Sequence, residues 1–328
     1  MNYLQGLLTI LIVVSANDAA VHELETSGFI ADMIRQGQSK IELRKGAHLL
    51  DHTLSLRLAR SVSVFGEERK YKIEDEKYQL GPEKEVKVRG SWFLEQDLSK
   101  TAEGRFENLY LLNERQNSDP RTSAGVFFIL GGNWDFNKCC IMGTGTGFEA
   151  PALIIIGGEL DEERPLDSPM CQSPKVSMYQ TKVQELPIDQ REFNDSVVPQ
   201  DLNNLIYVGG NSTFTAKKCE LSGAVMFNMM IYGNSAVKME RCHITRSLCA
   251  FCLDDYPSFE MSNCLIDQNK AIFAFVLGKH RVTLRKNKFV GKVFLASERF
   301  DNATLIEEDN IFDPFINLRS PPNHSRAS

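Results

Sequence analysis

The sequence predicts an all-β chain: a right-handed parallel β-helix solenoid with 22–23-residue coils and an N-terminal capping helix. Two features carry that prediction, an eight-residue phrase that returns at a nearly constant period and a Cys or Asn at the same place in each copy. A third supports it, an amphipathic stretch ahead of the first strands.

The phrase reads Phe214-Thr-Ala-Lys-Lys-Cys219-Glu-Leu221, then Val237-Lys-Met-Glu-Arg-Cys242-His-Ile244, Phe259-Glu-Met-Ser-Asn-Cys264-Leu-Ile266 and Val282-Thr-Leu-Arg-Lys-Asn287-Lys-Phe289. Apolar residues hold its first, third and eighth positions. Cys219, Cys242, Cys264 and Asn287 follow one another at steps of 23, 22 and 23 residues. Asn310 stands 23 further on in a degraded copy, where Glu307 interrupts an apolar column. Upstream, Trp134, Phe136, Cys139 and Ile141 fit the same template. A fixed period in the twenties marks a solenoid whose units bury their faces only against their neighbours. Leucine-rich repeats share the phrase but want a leucine three residues ahead of it, where this chain has Asn211, Asn234, Tyr256 and Lys279. Short apolar blocks at 224–227, 248–251, 271–274 and 292–295 follow each turn instead and read as a further strand per coil.

Stacked strands lie ~4.8 Å apart, so like residues sit on like. Cys219, Cys242, Cys264, Asn287 and Asn310 are therefore expected to point inward as one structural ladder, the cysteines unbonded, with Asn serving turn backbone that would otherwise be buried and unpaired. Met239, Met261 and Leu284 form an interior stripe on the same reasoning. The 20 phenylalanines against 8 tyrosines suit a dry interior that stacks rings without phenol hydroxyls to satisfy.

Ahead of the repeats, residues 19–36 read as an amphipathic helix broken near Gly28, followed by strands at 40–43 and 61–66. A cap of this kind shields the open edge and core of a first coil. The organisation expected is 1–66 for an N-terminal strand, capping helix and first coil, 67–158 for irregular early coils, 202–312 for regular coils and 313–328 for a disordered tail. Residues 116–123 read as a protruding loop. Between the coil regions, residues 159–201 hold five of the twelve prolines, ten acids and four bases, which reads as a long acidic excursion outside the solenoid. Residues 7–16 (LLTILIVVSA) admit two readings, a buried first strand or a signal segment that lacks the usual positive start. They are too short to span a bilayer. Sequons at Asn194, Asn211, Asn302 and Asn323 matter only for a secreted chain.

The phrase Val-Lys-Met-Glu-Arg-Cys-His-Ile followed by a short further strand resembles the repeats of the pectin-lyase-like right-handed β-helix superfamily. The resemblance implies the fold and raises the question of glycan cleavage. Polygalacturonase-like relatives carry an Asp pair and, about one coil later, a His and an Arg-x-Lys. Here Asp254-Asp255 and then His280 are the corresponding candidates for acid and base. The companions Gly-His-Gly, Arg-Ile-Lys and Asn-Thr-Asp are absent, and Asp254-Asp255-Tyr-Pro257 is equally good turn chemistry. Animal and protist β-helix proteins of the F-box-only and SHC-binding kind look similar at this level and imply non-enzymatic recognition.

Composition narrows the function classes further. The net charge of −6 gives no global basic field for nucleic acid. Lys279, Arg281, Arg285, Lys286, Lys288 and Lys292 form the densest basic stretch and could make a binding ridge on one face. Cys249-Ala-Phe-Cys252 has CxxC spacing without a second pair, and strict strand alternation would put its sulfurs on opposite faces, so neither metal nor cofactor is implied. Gly143-Thr-Gly-Thr-Gly147 reads as a tight turn rather than a phosphate loop. The expectation is a non-catalytic scaffold that binds another macromolecule, a protein, along an exposed strand face, in the cytoplasm or nucleus. A secreted carbohydrate-binding or carbohydrate-cleaving β-helix is the alternative. No nucleic-acid partner and no membrane span are expected.

Overall fold

The computed structural model describes residues 24–50, 54–67, 86–96, 102–113, 125–143, 152–157, 173–185, 204–224, 226–290, 294–296 and 304–312. In it each coil contributes one strand to each of three sheets, and every strand pairs in parallel with the strand one coil away. We number the sheets in the order each regular coil meets them, starting at the repeat phrase. The first holds ten strands, among them Thr213–Lys217, Ala236–Glu240 and Ser258–Ser262. The second holds eleven, among them Glu220–Ser222, His243–Thr245 and Leu265–Asp267. The third holds nine, among them Phe227–Ile231, Cys249–Asp255 and Ala271–Gly278. The repeat phrase thus supplies two strands, not one, and the apolar block after it supplies a third.

The two strands of the phrase are joined by a bend of two residues. The first is left-handed: Asn108, Lys138, Gln180, Lys218, Arg241, Asn263, Lys286 and Asp309 all have φ between 49° and 56°. The second is the ladder residue, and Cys219, Cys242, Cys264 and Asn287 are buried there as expected. The bend turns one strand carbonyl of each coil away from its sheet partners, and the ladder side chain of the next coil meets it. Asn287 Nδ2 donates to the Met261 carbonyl and Asn310 Nδ2 to that of Leu284, both at 3.0 Å. Thr181 Oγ1 donates to Phe136 at 3.2 Å, and the Cys219 and Cys242 thiols reach Met178 and Ala216 at 3.5 Å. The same side chains also accept: Cys264 N–H donates to Asn287 Oδ1 at 2.9 Å, and Asn287 N–H to Asn310 Oδ1 at 3.0 Å. From Cys139 onward the described coils hold small side chains here that both donate and accept, as Cys, Thr and Asn do, whereas the coil before has buried Leu109.

Inward residues of the three sheets form one continuous core. Met239, Met261 and Leu284 are neighbours in register and buried in it, as the interior stripe required. Trp92, Phe106, Phe127 and Phe136 stack or meet edge-on with centroids 4.8–6.1 Å apart. Gly104 is needed beneath them, because a Cβ there would sit 2.1 Å from the Trp134 ring. In the last coil, Glu307 takes the column of Leu284 but is exposed. An inward charge on an outermost strand discourages another edge from pairing with it.

Two expectations are corrected. Residues 159–201 are not one excursion: Lys175–Tyr179 and Lys182–Glu185 are strands of the first and second sheets. They lie between Asn133–Asn137 and Thr213–Lys217 and between Cys140–Gly143 and Glu220–Ser222. Val176, Met178 and Val183 are buried core, and Thr181 occupies the ladder between Cys139 and Cys219. The acids and prolines crowd the flanks of this coil and mask its four inward residues. The capping helix is also shorter than read. It spans Ser27–Arg35, with Ile30 buried, while Leu24–Glu25 pairs as a strand with His48 and Leu49. Thr26 sits at the helix start but spends its hydroxyl on His48 Nδ1 at 2.9 Å. Residues 7–16, 116–123 and 313–328 lie outside the described residues.

Two stability outcomes follow. Met261→Asp leaves a carboxylate in the core without a partner and should cost several kcal/mol, read as a large fall in thermal midpoint. Val183→Asp should cost about the same, whereas a residue in a dispensable loop would leave the midpoint unchanged.

Candidate functional site

The residues expected to do chemistry do not assemble. Asp255 is in register with Gly278, which brings Asp254, Asp255 and His280 to one corner, between the third and first sheets. His280, however, is 3% exposed and stands in the inward column of Ser212 and Ser235. The two carboxylates lie half-buried on the corner's outer side, and Asp254 Oδ1 accepts the Asp255 N–H at 2.9 Å, an Asx-type turn contact. Asp255 has φ 66°, and Gly278 passes so close that a Cβ on it would lie 1.8 Å from the Asp255 carbonyl. That approach fixes the corner; it does not open a cleft between acid and base.

The basic ridge is likewise divided. Arg281 and Arg285 project from the first sheet, Lys286 is the left-handed bend residue, Lys288 projects from the second sheet, and Lys279 sits on the corner. Arg285 is paired with Glu308 at 3.0 Å, and Lys292 lies outside the described residues. Cross-coil pairs of this kind run along the outside of the first sheet: Lys217 with Glu240 at 3.1 Å and Lys238 with Glu260 at 3.5 Å. On the second sheet Lys182 meets Glu220 at 3.0 Å, and His243 Nε2 meets Asp267 at 2.9 Å. These are exposed or half-exposed pairs, each worth a fraction of a kcal/mol. Among the described residues, no group of three or more His, Cys, Asp or Glu is placed to hold a metal ion, and no helix is long and apolar enough to cross a membrane.

The third sheet differs. Leu153 and Ile154, Leu205 and Ile206, Ala250 and Phe251, and Ile272 and Phe273 enter the core as consecutive pairs, and in the coil between the second and third of these the buried pair is Asn228 and Met229. Strand alternation therefore breaks once per coil, and residues three apart point outward together. One outward column runs Ala152, Asn204, Phe227, Cys249, Ala271. The other runs Phe93, Phe128, Ile155, Tyr207, Met230, Cys252. Phe128, Ala152 and Ile155 pack with Phe93 and Tyr207 in a cluster separate from the core. Neither column carries a charge. At the margins, Leu248 is 44%, Tyr232 40% and Tyr256 60% exposed.

The broken alternation also corrects the reading of Cys249 and Cys252, whose sulfurs share one outer face. Burial pushes the Cys249 thiol up to about 12, and burial, then the charge of Asp254, pushes Cys252 up to about 11. In the interior ladder, the hydrogen bond to Cys242 and then burial hold Cys219 and Cys264 well above the ordinary thiol range, while the same bonds pull Cys242 down. All seven described cysteines are buried and unbonded.

Comparison with known proteins agrees with the three parallel sheets and the inward ladder. Residues 189–312 match the family model described as the right handed beta helix region. The chain folds as a right-handed parallel β-helix. Solved structures similar to this β-helix include the Streptococcus pneumoniae surface protein and adhesin PfbA, at 7% identity over 93% of this chain and 96% of that one, TM-score 0.39. A PL6 alginate lyase in complex with a trisaccharide aligns at 9% identity over 85% and 61%, TM-score 0.31. The catalytic unit of a GH87 α-1,3-glucanase from Streptomyces thermodiastaticus aligns at 11% over 91% and 70%, TM-score 0.28. No curated protein matches the sequence.

Raised thiol pKa values link stability to pH. Below the unfolded-state value of about 8.5 Cys249 and Cys252 are protonated in both states, and their contribution is fully present. It is lost as pH rises through about 11 and about 12, where the unfolded chain ionises first. The thermal midpoint should therefore fall above about pH 8.5, and a Cys249→Ala/Cys252→Ala variant should show a shallower fall over that window.

Proposed function

We propose that this β-helix is a non-catalytic recognition module that binds another macromolecule, a protein, on an exposed strand face. The observation that carries the reading is the contrast between the three outer faces. Two carry compensated charge pairs, while the third is uncharged along its columns, partly accessible at Tyr207, Phe227 and Met230, and edged by exposed Leu248, Tyr232 and Tyr256. Contiguous apolar surface edged by polar groups is characteristic of protein interfaces, and tyrosine and methionine are enriched there. Against catalysis stands the inward burial of His280 away from Asp254 and Asp255. An intracellular location, cytoplasmic or nuclear, fits seven buried thiols left unbonded.

A panel of acidic and neutral polysaccharides, run beside an Asp255→Asn control, should show no turnover. Robust cleavage that is lost in the control would make the protein an enzyme and overturn the proposal. A tagged full-length chain should localise inside the cell; if it is instead secreted, exposed Asn211 should carry glycan.

A further inference from the structure

The left-handed bends between the first and second sheets stack into a column of their own along the solenoid. From coil to coil it reads Lys138, Gln180, Lys218, Arg241, Asn263 and Lys286. The backbone asks for none of the cations. With φ between 51° and 56° at Lys138, Lys218, Arg241 and Lys286, the position favours Gly, Asn or Asp, a preference that Asn108, Asn263 and Asp309 meet. Side chains kept where the conformation disfavours their type point to a role outside the backbone. All six reach solvent on the corner: Arg241, Asn263 and Lys286 are exposed, and Lys138, Gln180 and Lys218 half-exposed.

The columns on either side add to the charge. Lys217 and Arg285 flank the row on the first sheet, and Lys182 and Lys288 on the second. Against them stand Glu240, which meets Lys217 at 3.1 Å and Arg241 at 3.6 Å, and Glu220, which meets Lys182 at 3.0 Å. Lys218 leans over the Tyr179 ring, 5.7 Å from its centroid. Cations therefore outnumber acids along this corner of a chain whose net charge is −6. Acids bound the row at both ends, Glu107 before Lys138 and Glu308 with Asp309 after Lys286. Lys286, divided from its basic neighbours in sequence, is in line with Arg241 and Lys218 two and three coils away.

We infer that this corner binds an acidic segment of a partner protein, held extended along the solenoid axis. At ~4.8 Å per coil, the row from Lys138 to Lys286 spans about 24 Å, which about seven residues of extended chain cover. Carboxylates face Lys218, Arg241 and Lys286, and the amides of Gln180 and Asn263, which both donate and accept, meet peptide groups between them. A protein segment can set neutral residues against Glu220 and Glu240, whereas a polyuronate or a nucleic acid carries charge at every unit and is repelled by both. The inference extends the recognition reading to a second surface, and each can fail without the other.

The test uses the full chain and a fluorescent synthetic peptide of about ten residues that alternates glutamate and serine. Anisotropy titration at low salt should give saturable micromolar binding that weakens as salt rises. Lys218→Asn/Arg241→Asn takes two cations from the row and supplies the residue a left-handed bend prefers. It should melt no lower than the parent and bind at least about tenfold more weakly. Lys286→Asn, at an exposed site, should lose binding severalfold on its own. Arg246→Asn/Lys270→Asn removes the same charge as the double variant from exposed residues between the second and third sheets, and should leave binding unchanged. Lack of saturable binding to the parent overturns the inference, as do row variants that bind like the parent or a control that weakens as much as they do. Oligogalacturonate or single-stranded DNA of equal charge binding more tightly than the peptide gives the corner to another polyanion and overturns it too. These failures leave the recognition reading standing, whereas polysaccharide turnover lost in Asp255→Asn removes that reading alone.

Discussion

Each coil of this protein has to turn from its first sheet into its second within two residues, and the whole stack depends on how the backbone freed by that turn is satisfied. A left-handed residue makes the bend in every coil from Asn108 to Asp309. The carbonyl it releases is buried, and leaving such a group unpaired costs about 1–3 kcal/mol each time. The ladder side chain of the following coil takes it and, in return, accepts an N–H from the coil before. Because every bond of this kind joins two coils, it fixes their rotational register as well as their spacing. The strand columns, the aromatic stacks and the outer faces all inherit that register.

The ladder also accounts for its own composition. Asn makes both bonds best, with Asn287 bonded to the Met261 carbonyl, to Asn310 and to the Cys264 N–H. Cys makes longer and weaker ones, but its sulfur is at home in an apolar interior, and the thiols of Cys219, Cys242 and Cys264 share hydrogen bonds as well. Asn stands toward the C-terminal end, where Asn310 is only half-buried and the core thins around exposed Glu307. Cysteine stands where Phe214, Phe251 and Phe259 make the interior driest.

The third sheet meets a different constraint. A coil of only 22–23 residues must close with its corners, and placing two successive side chains in the core at the start of each third-sheet strand tightens that closure. The tightening turns residues three apart to one outer side, which is how Cys249 and Cys252 come to share a face while staying buried. Corner chemistry adds to this: Asp255 takes a positive φ, and Gly278 passes against its carbonyl. What read as an acid pair beside a histidine is the geometry of a turn, with the imidazole of His280 on the inner side.

The repeat period and the ladder were legible without coordinates because both arise from stacking identical coils, which forces like residues into columns that a one-dimensional alignment can see. The interior stripe of Met239, Met261 and Leu284 was legible for the same reason. The coil at Lys175–Glu185 was not, since Thr181 departs from the Cys/Asn signature and its inward residues are embedded among acids and prolines. Nor was the outer face of the third sheet, because its columns follow from a break in alternation that no residue type announces. A column depends on what lies one coil away, and sequence spacing reveals that where coil length is constant. Which side of a strand faces out, and whether a histidine turns toward a carboxylate or into the core, depends on backbone bends that only the closed coil decides.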